Sequence, residues 1–95
     1  MNFDRHLVDE LRALAGAGER PCALAGVVLH RLQLGAGAGR LQVVAYFQEA
    51  FALSLQDAMR VGAAPIFPGE NRPTSDIDAE MLPLLEATRD LWQGL

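Results

Sequence analysis

Residues 41–59, LQVVAYFQEAFALSLQDAM, constrain the fold of this chain more than any other stretch. Read at helical spacing, Leu41, Val44, Phe47 or Gln48, Phe51 and Leu55 recur at steps of three and four. Val43, Tyr46, Ala50 and Leu53 form a second stripe beside them. Only Gln42, Glu49 and Gln56 trace a polar line. A surface helix carries one apolar stripe, and a helix that is apolar most of the way round is enclosed by neighbours. Period-two alternation is absent, which disfavours a strand. The stretch therefore predicts a central helix over 40–52. Ser54 and Asp57 form a capping-box pattern, so Ala52 and Leu53 mark a corner and a short helix follows over 55–61, closed by Gly62.

The segments on either side read as helices that cover the central one. Phe3, Leu7, Leu11 and Leu14 lie on one face of a helix over 2–15, capped by Asn2 or Asp4 and closed by Gly16-Ala17-Gly18. Pro21 opens a second helix over 21–34, with Leu24, Val27, Val28 and Leu32 inward and Gly35 as its terminator. Gly35-Ala36-Gly37-Ala38-Gly39 is a flexible helix connection. Neither phosphate-binding glycine pattern is present there, and no strand precedes it.

Residues 63–74, AAPIFPGENRPT, hold three prolines and cannot form a regular helix. Ile66 and Phe67 either pin this loop to the core or stand out as a contact site. Ser75 with Asp78 then repeats the capping-box pattern, and Asp76, Asp78 and Glu80 suit the first turns of a helix electrostatically. Pro83 divides this last region into two short helices, 76–82 and 83–92, or bends a single one. Trp92 is expected to close the bundle against the first helix. The predicted fold is all-α: one domain over residues 1–95, a bundle of five or six short helices.

Composition narrows the function more than it identifies it. The 95 residues are 51% hydrophobic and 21% charged, as in a globular domain. All eight basic residues are Arg, and with the abundant Ala, Gly and Leu this points to a GC-rich, bacterial coding sequence. The net charge of -4 arises unevenly, since residues 1–40 sum to +1 and residues 41–95 to -5. The Arg residues are scattered singly, so there is no basic patch of the kind nucleic-acid binding requires, and no nucleic-acid partner is expected. No apolar run is long enough to span a bilayer and no secretory signal is recognisable, so a cytoplasmic location without membrane attachment is expected.

The chemistry-bearing residues are sparse. Cys22 is the only cysteine, near a helix start and beside Arg20, two features that lower a thiol pKa. His6 and His30 stand in no metal-ligand spacing with it. Asp76-Ile77-Asp78-Ala79-Glu80 lacks the glycine that a calcium loop needs at its turn. No catalytic group, metal or cofactor is expected. The sequence reads as a non-enzymatic interaction module (an adaptor, an accessory subunit or a small inhibitor of a partner protein), with self-association as one form of it. The candidate contact residues are Ile66, Phe67, Arg72, Asp76, Asp78 and Glu80. The alternative is a small enzyme or ligand-binding protein using Cys22 and His30.

Overall fold

The computed structural model describes residues 2–35 and 37–93; position 36 of the glycine-alternating connection lies outside them. They form six α-helices and no strand: α1 (Arg5–Gly16), α2 (Pro21–Arg31), α3 (Arg40–Phe51), α4 (Leu55–Ala58), α5 (Thr74–Ala87) and α6 (Arg89–Trp92). A 3-10 helix, Met59–Ala63, continues α4. The radius of gyration is 12.0 Å, close to the value of about 12 Å for a compact chain of this length. Among the described residues no helix is long and apolar enough to cross a membrane.

The central helix is where its two apolar stripes require it. Val43, Val44, Tyr46, Phe47, Ala50 and Phe51 of α3 are buried, and the helix packs on α1, α2, α4, the 3-10 helix and α6. Phe47 and Phe51 meet edge to face at 5.4 Å, and Trp92 of α6 stacks edge to face on Phe51 at 5.1 Å. Trp92 thus closes the bundle against α3, where the first helix was expected. Its indole N–H donates to the Leu85 carbonyl at 3.1 Å, so its one polar group is satisfied while buried.

A helix end inside a protein leaves carbonyls without partners unless other groups reach them. At the end of α3 they come from both sides. Arg12 of α1 donates to the Ala50 carbonyl at 2.8 Å and the Glu49 carbonyl at 3.3 Å, and the Thr88 hydroxyl donates to the Phe51 carbonyl at 2.7 Å. At the start of α1, the Asp4 carboxylate accepts from the amides of His6 and Leu7, and the Asp4 amide donates to the Tyr46 hydroxyl at 2.8 Å.

Several boundaries differ from the sequence reading for local reasons. Helix α1 starts at Arg5 because Asp4 is the cap. It closes as a Schellman motif, with Gly18 at φ 97° and the Glu19 amide on the Leu14 carbonyl. Helix α2 ends in the same way but earlier than expected. Gln33 takes the left-handed conformation at φ 55°, and the Leu34 amide donates to the Leu29 carbonyl, so Gly35 is not the terminator. Gly39, at the start of α3, is buried, and a Cβ there would overlap the Leu29 side chain. The corner after α3 is Ala52 at φ 54°, and Ser54 caps α4 through the Asp57 amide at 3.1 Å. Gly62 lies within the 3-10 helix and does not end it.

Helix α5 runs through Pro83 without a break. Both Pro83 and Ala79, whose carbonyl loses its helical partner there, are exposed, so that carbonyl is open to solvent and not buried without a partner. The interruption falls instead at Thr88, whose hydroxyl turns inward to α3. The expected Ser75 cap is absent as well: Thr74 is the first helical residue, and Pro73 precedes it with no side-chain cap.

Candidate functional site

The six expected contact residues separate into buried and surface positions. Phe67 is 1% exposed and belongs to the core, so it pins its loop and is not available to a partner. Arg40, the first residue of α3, holds that loop from outside. Its guanidinium lies 5.3 Å from the Phe67 ring centroid, donates to the Pro68 carbonyl at 2.9 Å and pairs with Glu70 at 3.5 Å. Ile66, 41% exposed, is the residue of the pair that reaches the surface.

Asp78 is corrected in the same way. It is 3% exposed, and its carboxylate accepts from the Cys22 amide at 2.9 Å. The N-terminus of α2 explains this contact. Arg20 offers no side-chain cap and Pro21 has no N–H, so Cys22 carries the first free donor of that helix, and a residue 56 positions away supplies the acceptor. Asp78 is thus a tertiary cap, and the capping box expected with Ser75 does not form. Glu80 is held between Arg72 at 2.7 Å and Arg60 at 3.7 Å, and Asp76 is exposed. Arg72 and Glu80 are therefore brought together, but as partners of each other.

Cys22 and His30 do not form a joint site. They stand eight residues apart on α2, about 12 Å along the axis at 1.5 Å per residue, and His30 is exposed. Burial, reinforced by the hydrogen bond and the negative charge of Asp78, pushes the Cys22 thiol up to about 12. Its Sγ lies 3.7 Å from the Thr74 carbonyl, a long contact to which a protonated thiol donates. Near neutral pH the group is a thiol, the unreactive form. Proximity to Arg20 and the helix start does not offset the desolvation and the carboxylate.

The surface feature that the sequence reading missed lies within the opening stretch itself. Leu41 and Leu55, placed on the apolar stripe of that stretch, and Met59 beside them are 77%, 56% and 58% exposed. With Val44, Gly62 and Ala63 they line an open apolar groove of about 410 Å³ between the start of α3 and the α4/3-10 segment. Arg40 and Glu70 complete the lining. The left-handed turn at Ala52 brings α4 and the 3-10 helix back against α3, and Gly62 of the 3-10 helix lies beside Val44. Leu41, one turn earlier, keeps no neighbour of that kind. A Cβ at Gly62 would make ordinary contact with the Arg40 side chain at 3.5 Å, so the approach of the two segments does not depend on glycine there. Met59 and Leu55, one helical turn apart on a segment too short to have a hidden face, were the available signal.

A second, smaller cavity of about 130 Å³ lies between the end of α1 and α5–α6, lined by Gly16, Glu19, Leu85, Glu86, Arg89 and Trp92 among others. Arg89 already occupies its polar side, pairing with Glu86 at 2.8 Å and lying over Trp92. No protein-family model, curated protein or solved structure matches the chain.

Proposed function

We propose that this chain is a non-enzymatic protein-interaction module that works by contact through the α3/α4 groove. The observation that carries the proposal is the exposure of Leu41, Leu55 and Met59 together along one groove. Scattered surface leucines are ordinary, whereas contiguous apolar patches on small chains mark contact sites. The form of the groove favours a protein over a small molecule. Binding sites for small molecules enclose most of their ligand. Here three of the lining side chains are more than half exposed, so a small ligand would leave much of them in water, while a protein surface covers them all.

The test is affinity capture with the intact chain and with a Leu41→Glu/Met59→Glu variant, followed by identification of the retained protein and reconstitution from purified components. A stoichiometric partner, or the chain itself, should be retained by the wild type and lost by the variant. If both retain the same proteins, the groove is not the contact surface.

A further inference from the structure

We infer that the occupant of the groove is a second copy of this chain, packed about a two-fold axis so that Leu41 of each copy lies against Leu55 and Met59 of the other. This inference rests on the contact reading above. It follows first from shape. Among the described residues Leu41 is the most exposed large apolar side chain, and it stands on the wall of the groove it lines. A knob and a hole thus lie side by side in one patch. A two-fold contact requires that arrangement, because the same surface must supply both halves.

Charge supports the same occupant. The chain carries -4, which sets two copies against each other at most relative orientations. The groove is an exception. Its two charged lining residues, Arg40 and Glu70, neutralise each other at 3.5 Å, and Arg40 is further engaged by the Pro68 carbonyl and the Phe67 ring. A strongly basic or acidic segment would find no unpaired charge among the residues that line the groove. An amphipathic carboxylate would have to displace Glu70 from Arg40. A second copy needs no unpaired charge at all.

Area sets the strength. The exposures of Leu41, Leu55 and Met59 are together equivalent to nearly two wholly exposed aliphatic residues. That is a small patch beside the ~800 Å² that each partner contributes to a standard interface. Apolar surface makes up a little over half of such interfaces, and a polar rim supplies the rest. Arg40 and Glu70 begin that rim. The patch is the apolar centre of a modest, concentration-dependent dimer.

Sedimentation velocity of the purified chain tests this directly. Between about 10 µM and 1 mM, the range in which a small interface overcomes the cost of association, the weight-average mass should rise from one chain toward two. Leu41→Glu and Met59→Glu should each weaken the dimer at least about tenfold, as central apolar residues of an interface do. Leu91→Glu, at a position 62% exposed on α6 outside the groove, should leave it unchanged. A wild type that stays monomeric to 1 mM overturns the inference, as does a dimer insensitive to Leu41→Glu or equally sensitive to Leu91→Glu. Comparison with the capture experiment separates the two failures. A monomer that still loses an identified partner through Leu41→Glu/Met59→Glu refutes the second copy and leaves the contact reading intact. A monomer that captures nothing sensitive to those substitutions refutes both.

Discussion

Replacing Asp78 with Ala should destabilise the fold substantially while leaving its surface almost unaltered. The side chain is 3% exposed and accepts the first free amide of α2 at 2.9 Å. A hydrogen bond to a charged group contributes about 1.5–3 kcal/mol, and loss of a helix cap costs about 0.5–2 kcal/mol; these describe one contact and are not summed. Removal of the acceptor also strands the Cys22 donor, which places the expected loss at about 2–3 kcal/mol. For a chain of this size that lowers the thermal midpoint by roughly 8–20 °C. Asp78→Asn keeps an acceptor oxygen and should lose about half as much. Asp76→Ala, at the exposed first turn of α5, should cost less than about 1 kcal/mol. The assay is denaturant unfolding followed by far-UV circular dichroism. An Asp78→Ala variant within about 0.5 kcal/mol of wild type, or no worse than Asp76→Ala, would refute the capping argument. The same substitution should speed thiol labelling of Cys22, because it removes both the hydrogen bond and the charge that hold its proton.

Ala52→Gly should stabilise the chain by about 1 kcal/mol, since Ala52 sits at φ 54°, where a Cβ is penalised and glycine is not; an unchanged or lowered denaturation midpoint would contradict this. In the folded state Cys22 should react with alkylating reagents at pH 8 roughly a hundred- to a thousandfold more slowly than after denaturation, because its pKa is raised from 9.0 to about 12. The unfolded chain releases this proton first, so stability attributable to Cys22 should decline as pH rises from 9.0 toward about 12. A Cys22→Ala variant should lack that part of the decline, as measured by unfolding across the same pH range.

What could be read from the sequence was what short-range geometry determines. The caps at Asp4 and Ser54 and the corner at Ala52 and Leu53 depend on residues within four positions of each other, and all three form. The enclosure of α3 was legible because two apolar stripes on one helix admit only one environment. The misses required information from across the fold. Gln33 occupies a left-handed position that glycine would be expected to hold, and nothing in its neighbours announces that. Pro83 is tolerated because it faces solvent, a matter of how α5 is rotated against the core. Asp78 looked like a local cap and an acidic surface, yet its acceptor is used by an amide 56 residues earlier in the chain. Leu41 and Met59 have the spacing of core residues, and periodicity cannot show that a stripe extends one turn beyond the element that covers it. The groove was therefore hidden by the same pattern that revealed the central helix.

The pairing of Arg12 and Thr88 at the end of α3 bears on how the chain acquires its structure. These residues lie 76 positions apart, near opposite ends of the described chain, and both hold carbonyls of the same helical turn. Before residue 88 is in place, the central helix has an incompletely bonded terminus, and Phe51 keeps Phe47 but lacks Trp92 as an aromatic neighbour. Helices α1 to α4 on their own would lack both the Thr88 hydroxyl and the Trp92 ring at this end of the core. Trp92 of α6 covers the ring, and Thr88, immediately before that helix, holds the carbonyl. Amides of α3 should then exchange with solvent only when the whole molecule opens, and removal of the last helix should loosen α1 as much as α5.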